Sequence, residues 1–399
     1  MKVQARHRLL PLLLALAAGG ASAADGMFSL SGFGTLGLVR TSTDDAQFAL
    51  FGQVRGADKD PSAEVDSKLG VQVGAKFNNV FSGTVQVLTK ANGKGKFAPG
   101  VEWAFLKAQV TPAVAVRAGR MGAPFFAVSD FRDVGFANTA LRPPKDVYDQ
   151  VPVSHFDGAD ASYQLATSVG TLTGQVFGGK ASDTSQRYKV DVKSMAGFNA
   201  TLETDAGLTL RLGYAEGKLT VGNAALNGLV ATLRATPFAS VGNQLDPNSS
   251  KASFSGVGLT WDQGQWIVNA EYTQRRLKSF LADTDGWYVL VGHRFGPVTP
   301  YLTVSEARTV DSNVNNTIPA ATPQLAALKA AVDGVVEGQR HTQKTVALGA
   351  RWDFARNFAF KAQWENVRPD GRGYFIVTNP NWGNGKTVNV FSVALDTVF

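Results

Sequence analysis

Along most of the chain, apolar and polar residues alternate one for one. The stretch "KLGVQVGAKF" sets Leu69, Val71, Val73, Ala75 and Phe77 on one parity and Lys68, Gln72 and Lys76 on the other. "KTVALGARWDF" opposes Val346, Leu348, Ala350, Trp352 and Phe354 to Thr345, Arg351 and Asp353. "NFAFKAQWENV" opposes Phe358, Phe360, Ala362 and Trp364 to Lys361, Gln363 and Glu365. A period of two sustained over about ten residues marks a β-strand with one apolar face. The C-terminal "TVNVFSVALDTVF" has the same form, with Phe391, Val393, Leu395 and Phe399 on one parity. Segments of this kind predict sixteen strands: 28–40, 64–78, 80–91, 101–111, 113–122, 157–167, 170–179, 192–204, 208–219, 252–262, 265–277, 285–295, 298–309, 343–354, 357–367 and 387–398.

The connections alternate short and long without exception. Tight ones fall at "NN" (78–79), Pro112, "SVG" (168–170), "DAG" (205–207), "QG" (263–264), "GPV" (296–298) and "AR" (355–356). Long ones span 41–63, 92–100, 123–156, 180–191, 220–251, 278–284, 310–342 and 368–386. Tight turns at one end and long loops at the other predict an all-β fold, a transmembrane antiparallel barrel with long extracellular loops. A soluble sandwich shows no such alternation, and no helical period separates the strands as an α/β fold requires. In a spanning barrel the outward face touches lipid, so alternate residues must be apolar for the length of each strand. That explains an apolar strand carried to Phe399.

Composition and charge agree. "MKVQARHRLLPLLLALAAGGASA" combines the basic Lys2, Arg6 and Arg8, an apolar run and the small residues Ala21-Ser22-Ala23. That is a signal-peptide layout, with cleavage after Ala23 leaving a single barrel domain over 24–399. The apolar run is shorter than the roughly 20 residues a spanning helix needs. The chain has no cysteine, 42 Gly and 25 Phe, so its stability does not rest on disulfides. Net charge is +7, or +4 without the three leader cations, too mild and dispersed for a nucleic-acid partner.

The leader, "FSLSGFGTLGLVR", the passage "VAVRAGRMGAPFF" into a long third loop and the terminal "FSVALDTVF" together resemble the Gram-negative general porin superfamily. The resemblance covers the whole mature chain. It implies a homotrimer of sixteen-stranded barrels, each narrowed by a third loop folded inward. It also implies that the barrel-assembly machinery reads the terminal aromatic strand, here Val393, Leu395 and Phe399.

The third long loop, 123–156, is the longest and the candidate constriction loop. Its "SDFRDVGF" stretch carries Asp130, Arg132 and Asp133 among aromatics, followed by "RPPKDVYDQVP" with Pro143, Pro144 and Pro152. By parity Lys107, Arg117, Arg211, Arg351 and Lys361 point inward, about 10 Å above the turn end at ~3.3 Å per residue and ~45° tilt. Facing a mixed-charge loop, they could set up a transverse field or pair locally and hold the loop down. Parity also turns Lys68, Lys76, Lys90, Lys193 and Arg275 inward, against Asp66, Glu203, Glu271, Asp353, Glu365 and Asp396. In the seventh loop, "TPQLAALKAAVDGVVEGQ" predicts a short helix over the mouth. In the fifth, "ATLRATPFASVGNQLDPNSS" reads as irregular.

Catalysis finds no support. His155, His293 and His341 are scattered, without metal-ligand spacing or a nucleophile elbow. His155 between Ser154 and Asp157 is not a triad, because neighbours in a strand point to opposite faces. No cofactor or metal is implied. The leading expectation is a passive diffusion channel for small hydrophilic solutes and ions with a weak anion preference. The alternatives are a channel selective for small organic anions and a surface structural or adhesin barrel. Expected partners are outer-membrane lipid and lipopolysaccharide.

Overall fold

A strand with an apolar face and free edges needs partners on both sides, and only a closed sheet leaves no edge unpaired in lipid. The protein takes that solution. The computed structural model describes residues 27–399 except 187, 380, 381 and 384, so the leader at 1–23 lies outside the described residues. Sixteen antiparallel strands close into one barrel. In chain order the wall strands begin with β1 (Phe28–Thr41), β3 (Lys68–Lys76), β4 (Phe81–Ala91), β5 (Phe97–Gln109) and β6 (Val114–Gly122). There follow β7 (His155–Thr167), β8 (Gly170–Thr184), β9 (Lys189–Thr204), β10 (Leu208–Gly222), β11 (Ser250–Gln263) and β12 (Trp266–Leu277). The last are β13 (Asp283–His293), β14 (Val298–Asp311), β15 (His341–Ala355), β16 (Phe358–Gly371) and β18 (Val388–Val398). Two further short strands, β2 (Ala46–Phe48) and β17 (Phe375–Val377), form a ribbon joining the first and eighth loops.

The seam lies between β1 and β18, in register from Phe33↔Val398 to Thr41↔Val390. Phe399 extends it, exchanging backbone hydrogen bonds with Gly32 at 2.9 and 3.0 Å. Phe399 also lies against the Gly32 Cα, where any Cβ would sit 2.3 Å from its ring, so this contact requires glycine.

The wall faces divide as the alternation predicts. Phe391, Val393 and Leu395 are 52%, 39% and 38% exposed on the outer face, while Val390, Ser392, Ala394 and Asp396 on the other parity are buried. Around the barrel Leu30, Val73, Leu106, Val176, Leu212, Val257, Leu302 and Leu348 likewise face outward. Such a continuous apolar belt fits hydrocarbon rather than water. Phe77, Phe81, Trp266, Phe295, Trp352 and Phe354 are exposed beside the tight turns, forming one aromatic girdle.

Two expectations need correction. Parity turns Lys193 inward, but it pairs with Lys218 on the outward face. The ladder shifts between Glu216 and Lys218, and Ser194 takes φ 50°, so a bulge inverts the parity above it. The fifth loop is not irregular. It forms helices over Ala224–Arg234 and Ala239–Gln244, the first capped by the Asn223 side chain accepting from Leu226 N at 3.0 Å. The helix read in the seventh loop is present at Pro323–Glu337, capped by Thr322. Leu226, Val230, Leu233, Val241, Leu245, Ile318 and Val332 from these loops, with Phe280 of the sixth, bury one another in a small apolar core above the barrel.

Candidate functional site: the third loop and the lumen

Between β6 and β7 the chain turns into the barrel, as its aromatic content favours. Phe125, Phe126, Val147 and Tyr148 bury against the inward residues Phe254, Tyr288, Leu290 and Tyr301. Phe126 stacks on Tyr148 at 4.5 Å and meets Phe254 edge-on at 5.1 Å. This apolar ballast removes the loop from the water path on one side and leaves its polar tip facing the other.

The wall behind the loop holds it through charge. Lys361, fully buried, donates to the carbonyls of Gly135, Asn138 and Ala140 at 2.7, 2.6 and 3.1 Å. It also lies 3.1 Å from Asp396, which accepts from Thr35 at 2.6 Å. Arg351 donates to Phe136 and Asn138 carbonyls at 2.6 and 3.0 Å and pairs with Asp353 at 2.7 Å. Arg211 reaches the Pro124 and Phe125 carbonyls at 2.5 and 3.2 Å. From the loop side, Arg142 forks onto Asp66 at 3.0 and 2.7 Å, donates to Ser392 at 2.5 Å and pairs with Glu365. Burial opposes its charge, but Asp66 and Glu365 outweigh burial and push its pKa up. Asp146 accepts from Gln343 at 2.6 Å and from Ser305, and burial pushes its carboxyl up to about 6.

The water path lies on the loop's other side. Asp130 and Phe131 are exposed there. Asp133 is surrounded by Lys90 at 3.0 Å, Lys68 at 3.6 Å and Arg132 at 3.8 Å. Burial alone raises its pKa; the three cations overcome that and hold it well below the usual carboxylate range. Along the facing wall Arg117 binds Asp160 at 2.5 Å, Gln175 donates to Asp160 at 2.8 Å and Asn199 to Gln175 at 2.7 Å. Gln86 and Gln72 pair at 3.1 Å. Among the described residues Lys107 and Arg211 have no carboxylate within 4.0 Å.

The eight residues read as constriction candidates therefore divide. Arg211, Arg351 and Lys361 bind loop backbone; Lys107, Arg117, Asp130, Arg132 and Asp133 border or face the path. The sequence places Arg142 and Asp146 in the candidate constriction loop without revealing their partners, and turns Lys68 and Lys90 inward without setting them at the constriction. Lys68 and Lys90 had the right parity and lacked only a reason to prefer them. His155 lies 3.1 Å from Ser154 and 3.5 Å from Glu102, with no nucleophile–base–acid line.

A family model described as "Gram-negative porin" matches residues 12–312. The chain belongs to that family, as an outer-membrane channel without enzymatic activity. A sequence search of curated proteins gives no significant match. Among solved structures, the anion-selective porin from Comamonas acidovorans superposes with a TM-score of 0.56 at 12% identity, covering 93% of this chain and 99% of that one. OmpT of Vibrio cholerae gives 0.55 at 11%, covering 94% and 98%. Salmonella typhi OmpF in complex with daunomycin gives 0.54 at 14%, covering 93% and 97%. At these identities the likeness carries the fold alone.

Proposed function

We propose that this porin is a passive channel for small hydrophilic solutes and ions, with a weak preference for anions. The observation that carries the preference is Asp133: one carboxylate shared by Lys68, Lys90 and Arg132 at the loop's water-facing edge. Lys107 adds positive charge that no carboxylate within 4.0 Å offsets, whereas Asp130 subtracts one. Charge counts most where the path is narrow and its walls have low dielectric. Reversal potentials in planar bilayers under a KCl gradient test the reading. Anion preference is expected near 0.1 M salt and should fade near 1 M, where the Debye length is about 3 Å. A cation-selective reversal potential at low salt overturns it.

The same reading includes export with removal of residues 1–23, assembly as a homotrimer, contact with lipopolysaccharide, and recognition of Val393, Leu395 and Phe399 by the assembly machinery. Supporting the last, Phe399 is the outermost rung of the seam, bonded both ways to Gly32. Replacing Phe399 by Asp should leave export intact and reduce heat-modifiable barrel in the outer membrane. Undiminished barrel counts against the assembly role.

A further inference from the structure

Interiors of water-filled barrels are ordinarily polar, and one part of this lumen is not. Between the third loop and the loop-end helices lies a cavity of ≈ 760 Å³. On its wall the inward positions of β9, β10 and β12 are Val190, Leu219 and Leu277, which are 4%, 8% and 4% exposed. Leu229 and Val335 roof it and Phe125 forms part of its floor. A chamber of this size accommodates a small organic molecule, and its aliphatic lining favours an apolar one.

The cavity's charge specifies the rest. Arg275 lines it, donating to the Gln150 carbonyl at 2.8 Å and the Ala282 carbonyl at 3.0 Å. Its Nε is buried without a hydrogen-bond partner. No carboxylate lies within 4.0 Å of the guanidinium among the described residues. Asp283, the carboxylate that acts on it from farther off, is taken by Leu277 N at 2.7 Å and the Asn313 amide at 2.9 Å. A second cation, Arg372, lines the same space. The one acidic residue among the lining residues, Glu216, is engaged by the Tyr214 hydroxyl at 3.0 Å and Lys251 at 3.3 Å. A guanidinium with an unpaired donor and no carboxylate in contact, set in apolar walls, is costly unless an anion reaches it.

We propose that this chamber is a binding site for small monocarboxylates with an apolar body, the carboxylate at Arg275 and the hydrocarbon against the β9–β12 wall and the helical roof. The inference rests on the channel reading and deepens it: such solutes would dwell here before the constriction.

Single-channel recording with benzoate, acetate and benzyl alcohol tests it. Benzoate should interrupt the current with residence times at least about tenfold longer than acetate or benzyl alcohol, since each control lacks one of the two features. Arg275→Gln should shorten benzoate residence by about tenfold. Because Arg275 also steadies the third loop, Val335→Asp provides an independent check: it places a carboxylate in the roof and should likewise shorten benzoate residence. Equal residence for benzoate and acetate, or no change in Val335→Asp, overturns the proposal. The KCl reversal potential is read separately. Anion preference without benzoate block sinks this inference alone; benzoate block with cation preference sinks only the selectivity reading.

Discussion

The two sides of the lumen use the same residue types to opposite ends. Behind the third loop, Lys361 and Arg142 are 0% and 3% exposed in their side chains, each paired with carboxylates and bonded into the structure. Across the water path, Lys90 and Arg117 keep 37% and 28% exposure, and three cations share Asp133. The first arrangement is a latch, in which charge is neutralised and geometry is fixed. The second leaves its cations partly exposed, three of them sharing one carboxylate. Parity treats Lys361 and Lys107 alike, because both point inward; what separates them is whether the loop covers them.

The comparison breaks most readily at Arg142. Arg142→Ala leaves Asp66 and Glu365 buried beside each other without a cation, a loss of ~3–5 kcal/mol for such pairs. The third loop should loosen, seen as protease cleavage within 123–150 and as noisier single-channel current, while the barrel remains heat-modifiable. Arg117→Ala leaves the buried Asp160 with only the Gln175 amide, a loss on the wall rather than in the loop, and should leave cleavage unchanged. Equal loosening in both variants would erase the distinction between the walls.

A smaller effect should appear on the path side. Lys68→Gln with Lys90→Gln should move the low-salt reversal potential toward cations, by a few-fold in permeability ratio, with the loop still protected from protease. The shift should shrink near 1 M salt, where screening acts within about 3 Å. The double change Arg117→Ser with Arg351→Ser sharpens the point: the first exposes Asp160 to the path, the second removes two bonds to the loop. Reversal potential should follow Arg117, and current noise should follow Arg351, when each is changed alone.

The smallest effect is expected at Asp146. Its carboxyl is raised to about 6 by burial, above the unfolded value of ~3.9. The folded state therefore holds this proton more tightly, and its contribution to stability falls as pH rises from about 4 to about 6. Asp146→Asn keeps a bonded amide between Gln343 and Ser305 and should flatten that part of the thermal-stability profile. An unchanged profile would place the buried carboxyl's titration elsewhere.

Much of this was legible in the chain because strand parity is local. Phe391, Val393 and Leu395 declare their face without any knowledge of the partner strand. Lys193 was misplaced by one left-handed residue, Ser194, which no alternation reveals. The fifth-loop helix did leave a signal, since Leu226, Val230 and Leu233 recur at helical spacing in "AALNGLVATLR". The latch left none. Arg142 meets partners 76, 223 and 250 residues away, and which acids it reaches depends on the loop's path through a closed cylinder.

The apolar core shared by the fifth- and seventh-loop helices has a consequence for temperature. Its residues bury one another above the barrel wall, so their cohesion is that of a small water-soluble protein, weakening on cooling and carrying a positive heat capacity of unfolding. The wall below is held by a closed ladder of backbone hydrogen bonds. One chain thus contains two cooperative units with differently curved stability profiles. Heating should melt the helices as a minor calorimetric transition ahead of the barrel, and the chamber beneath them should lose its roof while the pore still stands.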